Sequence, residues 1–244
     1  MQNERVTKQL DKNGEDRQGR KHRPVLDLLV SIVIPSVILM KFSGDEDLGV
    51  TSALILALAF PVCWGAFELF KYRKFNYFAL LGLVSVGITG GIGLLQLDQQ
   101  WIAVKEAAIP ALIGFVVLAS TWTRYPLIKT LLYHPAVLDV GKIEQRLEET
   151  RHRALFEVRL VNATYFLSGT FFFSSLMNYI LAKMIVTSPT GSAAFNEELG
   201  QLTLLSYPVI AIPSALMMMA ILYYIWRTIH SMTGLAFEDL LASR

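Results

Sequence analysis

Lysine and arginine are sorted by side along this chain. Six apolar stretches, residues 25–41, 50–70, 77–97, 102–121, 161–186 and 206–226, are separated by gaps that alternate in charge. The leader 1–24 carries Arg5, Lys8, Lys12, Arg17, Arg20, Lys21 and Arg23, the second gap carries Lys71, Arg73 and Lys74, and the fourth carries the run from Arg124 to Arg159. The odd gaps hold Asp45, Glu46 and Asp47, then Asp98, then Glu197 and Glu198. All but three of the 22 basic residues fall on one side, and the exceptions, Lys41, Lys105 and Lys183, lie at or inside the ends of apolar stretches. Insertion machinery retains short Lys/Arg-rich loops in the cytoplasm, so the pattern predicts an all-α polytopic membrane protein with six transmembrane helices and cytoplasmic N and C termini.

Composition alone leaves two classes open. At 53% hydrophobic and 17% charged, 244 residues suit either a large soluble domain or a membrane bundle. The distribution decides between them, because a bilayer core about 30 Å thick needs roughly 20 mostly apolar residues in a helix. Each stretch meets that length, and none shows the polar stripe of a soluble amphipathic helix. The polar leader and the missing small-residue cleavage site predict that the first stretch is a retained anchor. Cys63 is the single cysteine, so no intrachain disulfide forms, and it is expected to be a buried packing thiol.

The chain divides into a mobile cytoplasmic leader 1–24, a four-span part 25–121, a cytoplasmic interfacial segment and helix 122–160, two further spans in 161–226 with an external loop 187–205, and a cytoplasmic tail 227–244. Pro35, Pro61, Pro110, Pro208 and Pro213 fall in or near four of the spans, where each removes a backbone donor and favours a kink. GITGGIG, residues 87–93, carries Gly87 and Gly91 at the spacing that lets helix backbones approach, with Gly90 and Gly93 widening the small surface. In 122–160, Trp122, Tyr125, Tyr133 and neighbouring leucines interleave with Arg124 and Lys129, as in a headgroup-level segment. Asp139 is placed to cap a helix with Glu149–Arg153 and Arg153–Glu157 pairs and a stripe of Ile143, Leu147, Ala154 and Val158, and that helix is expected to run into the fifth span.

Ionisable groups inside spans are costly and are therefore the candidate sites. Lys105 and Glu106 lie about one turn into the fourth span from its outer end, at a depth close to that of Lys41. Adjacent residues diverge by about 100° on a helix, so the expected arrangement is a Lys41–Glu106 pair with Lys105 reaching a lipid phosphate or Asp98. This forms an outer polar cluster of Lys41, Lys105, Glu106 and Asp98. Asp27 and Glu68 occupy similar depths on the cytoplasmic side and are expected to pair with Arg124 or Arg73. Asn178, the deepest strongly polar side chain, is expected to hydrogen-bond between helices.

Enzyme chemistry finds no support. His22, His134, His152 and His230 are dispersed, and neither HExxH nor GxSxG occurs. Met217, Met218 and Met219 point to different helix faces and suit packing rather than a soft metal. No cofactor is implied. No nucleic-acid motif was found, and the spread of cytoplasmic basic residues suits anionic lipid headgroups instead.

The stretch from Tyr72 to Ser120 resembles the intracellular septation protein A family of bacterial inner-membrane proteins. The shared features are Tyr72-Arg73-Lys74 before a span, Gly90-Gly91 late in it, an acidic turn at Asp98, then Trp101-Ile102 and Lys105 opening the next span. Weaker similarity reaches back over Lys41. Ala103 stands where that family usually has a second lysine, Glu106 has no placed counterpart, and the last two spans look unrelated. The whole chain looks more like a sister group, often labelled transporters, that shares SGDEDLG and VKEAAIP. The resemblance implies an inner-membrane protein connected with envelope growth or septation, and no known reaction. The expected role is a scaffold or modulator touching membrane lipid and envelope-synthesis or division proteins. The alternative is a small-molecule or lipid transporter working as a homodimer.

Overall fold

The computed structural model describes residues 32–72, 77–123, 126–131 and 138–235, apart from the side chains at 64, 65, 67–72, 77–83, 130 and 131. Among them all regular structure is helical. The elements are α1 (Ile34–Lys41), α2 (Val50–Tyr72), α3 (Tyr77–Leu94), α4 (Gln100–Ser120), α5 (Leu127–Leu131), α6 (Val140–Glu149), α7 (Arg153–Ile185), α8 (Ala193–Ser206) and α9 (Ile212–Thr233), with a π-helical turn, Tyr207–Ala211, joining the last two. The apolar stretches are helical over nearly all of their described residues, with α2, α3 and α4 ending within a few residues of those expected and the helices of the last two stretches extending well beyond them. The helices Gln100–Ser120 and Ala193–Thr233 are long and apolar enough to cross a membrane, while Val50–Cys63 and Val84–Leu94 are shorter apolar helices.

The molecule is organised along α7, whose 33 residues run about 50 Å. α4 packs antiparallel to it. Ser168 Oγ donates to the Gly114 carbonyl at 3.0 Å and Ser175 Oγ to the Ala107 carbonyl at 2.8 Å. Both donors and both acceptors are seven residues apart, so the two bonds repeat along one seam, and Gly114 lies where a Cβ would meet Phe171 and Phe172 at 3.2–3.3 Å. Hydroxyls returned to backbone carbonyls leave no donor facing hydrocarbon, which lets these helices approach closely.

Two apolar clusters form at opposite ends of α7. One gathers Leu39, Leu54, Ile92, Ile102, Ala182, Phe195 and Leu199 from α1, α2, α3, α4, α7 and α8. The other gathers Val117, Ile128, Ile143, Leu147, Phe156, Leu160, Ile225 and Ile229 around α6.

Several expectations need correcting. The segment 187–205 is largely helix rather than loop. Ser192 caps α8 by accepting from the Phe195 N–H at 3.1 Å, and Phe195, Leu199 and Leu202 bury one face while Glu197 stays exposed. Gly200 is a close contact with α1, because a Cβ there would meet Met40 Cγ at 2.7 Å and the Ser36 carbonyl at 2.8 Å. α8 then continues into α9 through the π turn. Pro208 and Pro213 lack the N–H groups that an α-helical ladder needs, and the Ile212 N–H reaches back five residues to the Tyr207 carbonyl. Pro35 lies in the first turn of α1, after π-wound residues 32–33, whereas Pro61 and Pro110 are inside α2 and α4.

Asp139 does cap α6, accepting from the Lys142 N–H at 3.1 Å, but α6 does not run on into α7. Arg151 at φ 55° breaks the helix and shifts its phase. Ile143 and Leu147 are buried as expected, whereas Ala154 and Val158 are exposed and Phe156 and Leu160 take the inner face. The same shift changes the ion pairs, which are Arg153–Glu148 at 2.7 Å, Arg146–Glu149 at 2.9 Å and Lys129–Glu157 at 3.5 Å. Cys63 is exposed rather than buried.

Candidate functional site between α3 and α4

Lys105 lies in the second turn of α4, and its side chain turns inward to only 9% exposure. It faces α3, where Ser85 and Thr89 stand one turn apart and present two hydroxyls on one face. Lys105 Nζ donates to Thr89 Oγ1 at 2.9 Å and to Ser85 Oγ at 3.3 Å. It also pairs with Glu106 Oε1 at 2.6 Å. Thr89 Oγ1 in turn donates to the Ser85 carbonyl at 3.1 Å. Two hydroxyls accept hydrogen bonds from the nearly buried ammonium and the carboxylate beside it balances its charge. Glu106 is the wetter partner, with its side chain 31% exposed.

The partners of Lys105 and Glu106 differ from those expected. Lys105 and Glu106 bond to one another, since long side chains span the divergence between neighbours. Lys41 is exposed at the end of α1, and among the described residues no ion pair joins it to Glu106. Asp98 does not receive Lys105 either, because its carboxylate accepts from the Gln100 N–H at 2.8 Å and so starts α4. Asp27, Arg73 and Arg124, and the side chain of Glu68, lie outside the described residues.

Gly87, Gly90, Gly91 and Gly93 of α3 divide between two faces. A Cβ at Gly90 would meet Leu58 at 2.8 Å and one at Gly93 would meet Leu54 at 2.6 Å, so these two pack against α2. Gly87 and Gly91 have no neighbour within 4 Å among the described residues. Asn178 stays within its own helix, donating to the Ser174 carbonyl at 2.8 Å.

Three polar contacts were not anticipated from the residues. Ser85 and Thr89 complete the Lys105 site, and their i, i+4 spacing on an otherwise apolar helix was the available signal. Asn196, fully buried in α8, donates to Ser43 Oγ at 3.0 Å and to the Val50 carbonyl at 2.8 Å. Glu198 accepts from the backbone N–H and the hydroxyl of both Thr187 and Ser188 at 2.7–3.1 Å, fixing the turn that leaves α7. Among the described residues no group of acidic, His or Cys side chains is arranged to hold a metal.

Among the described residues the protein is helical, with two helices long and apolar enough to cross a membrane. The chain is similar to inner membrane-spanning protein YciB of Salmonella arizonae, with 33% identity over 101 residues, which is 41% of this chain and 55% of that protein. The proteins of the same name from Salmonella newport and Salmonella enteritidis PT4 match to the same extent. The chain thus spans about half the length of the curated relatives it matches. This similarity bears out the resemblance to the septation protein family read from Tyr72 to Ser120. No family model matches the chain, and no solved structure does.

Proposed function

We propose that this chain is a six-span bacterial inner-membrane protein with both termini in the cytoplasm, acting as a scaffold or modulator in envelope growth or septation. Its working contact is the Lys105, Glu106, Ser85 and Thr89 cluster, which lies on the outer side by the charge pattern. The observation that carries this reading is a nearly buried lysine held by three oxygens in one of the apolar helices long enough to cross a membrane. Such a group is costly in a span, and packing alone gives no reason to keep it there. The similarity to inner membrane-spanning proteins supports the same placement. The reading includes no enzymatic step, and its partners are membrane lipid and envelope-synthesis or division proteins.

Cross-linking and co-purification of the tagged chain from its native membranes, with an unrelated six-span protein as control, tests this role. Specific recovery of cell-wall or division proteins, reduced in Lys105→Ala at unchanged abundance, is the expected result. Recovery of the chain alone would contradict it.

One observation favours a second reading, a small-molecule or lipid transporter working as a homodimer. The π turn at Tyr207–Ala211, which contains Pro208 and is followed by Pro213, interrupts the apolar helix Ala193–Thr233, and irregular turns of this kind often lie at functional sites. Uptake or lipid flipping in vesicles reconstituted with the chain alone would support it.

A further inference from the structure

We infer that the outward oxygen of Glu106 receives a primary ammonium group, supplied by the headgroup of a phosphatidylethanolamine-type lipid in the adjoining leaflet. This rests on the membrane placement proposed above and identifies the lipid chemistry of the same site. The argument is a count of open valences. Lys105 Nζ donates to Thr89 Oγ1 and Ser85 Oγ at 2.9 and 3.3 Å and is neutralised by Glu106 Oε1, which lies 2.6 Å away as an ion pair. The charge of Lys105 is already matched by Glu106, so an anionic headgroup would have to compete with that carboxylate for it. The Thr89 hydroxyl is spent on the Ser85 carbonyl.

Glu106 differs. One of its oxygens holds Lys105, and the other has no partner among the described residues on a side chain that is 31% exposed. The open position is therefore an acceptor on a carboxylate, held in place from behind by its lysine. It suits an N–H donor of positive charge. The depth fits as well, since Glu106 lies about 9 Å along α4 from Gln100. Trp101, 57% exposed in the first turn, is the kind of side chain that settles at the headgroup level.

The test uses the full chain in nanodiscs of equal phosphatidylethanolamine, phosphatidylcholine and phosphatidylglycerol with matched acyl chains, reading the retained lipid by native mass spectrometry. Choline has no N–H and glycerol no amine, so the three headgroups separate donor from charge. The expected result is phosphatidylethanolamine favoured over phosphatidylcholine by about tenfold, the scale of one hydrogen bond to a charged group. The preference should vanish in Glu106→Gln and persist in Glu46→Gln, which removes an exposed acid from the preceding acidic gap. If Glu106→Gln does not fold, Glu106→Asp should fold and show a smaller preference.

Equal retention, or preference for phosphatidylglycerol, overturns the inference. Displacement of the lipid by millimolar ethanolamine would make a soluble amine the ligand. A lipid-free dimer that weakens in Glu106→Gln would assign the position to a lysine of a second copy. Loss of headgroup preference with continued Lys105-dependent recovery of envelope proteins would sink this inference and leave the proposed function standing.

Discussion

The two ends of α7 are held by different chemistry. At the Lys105 end, helices are joined by polar bonds, buried or half-buried for Lys105 to Ser85 and Thr89 and Asn196 to Ser43 and Val50, and more exposed for Glu198 to the turn at Thr187 and Ser188. At the α6 end, the joins between helices are mainly apolar, through Ile143, Leu147, Phe156, Leu160, Ile225 and Ile229, and the ion pairs lie on the surface. The difference follows from the surrounding medium in the proposed orientation. A helix lying over a cytoplasmic face gains by hiding apolar side chains from water. Helices side by side in hydrocarbon gain little from that and rely on close contact and hydrogen bonds.

Breaking each end in its own way should separate these contributions, with unfolding in detergent as the measurement. The largest effect is expected at the α6 end, where Leu147→Ala empties a fully buried position and should cost about 3 kcal/mol. At the other end, Asn196→Ala removes two hydrogen bonds that tie α8 to Ser43 and Val50 and should cost about 2 kcal/mol. Gly200→Ala should cost about 1–2 kcal/mol, because its Cβ would press on the Ser36 backbone carbonyl. Gly87→Ala, in α3 with no neighbour within 4 Å among the described residues, should be neutral or stabilising by up to about 1 kcal/mol. The smallest change is expected for Glu148→Gln, whose partner Arg153 is exposed, within about 0.5 kcal/mol and weaker still at high salt. If Glu148→Gln proved as costly as Asn196→Ala, the contrast between surface and buried polar contacts would fail.

Helix positions were legible because the length of an apolar run is a strong signal, and α2, α3 and α4 lie close to where it predicts them, while α7 ends there but starts earlier, at Arg153. α8 was hidden by Glu197, Glu198, Gly191 and Gly200, which suggest a loop when the buried side chains of Phe195, Leu199 and Leu202 are not weighed by helical spacing. Gly200 serves there as a contact rather than a breaker. At the α6–α7 junction, one residue at positive φ, Arg151, redirects every later position, so a stripe extended from Ile143 and Leu147 picks the wrong residues beyond it. For the site, the cost of burying charge singled out Lys105 and Glu106, but a lysine side chain is long enough to reach several partners. Only its opposite face, with Ser85 and Thr89, fixes which one it takes.

The central claim is that the Lys105 end faces away from the cytoplasm and the α6 end faces into it. Labelling single cysteines in intact spheroplasts with a membrane-impermeant maleimide, in a Cys63→Ser background, tests this directly. Leu95→Cys, in the exposed turn between α3 and α4, should label in intact spheroplasts, and Gln145→Cys, on the exposed face of α6, only after lysis. The reverse pattern, or equal labelling of both before lysis, would contradict the account.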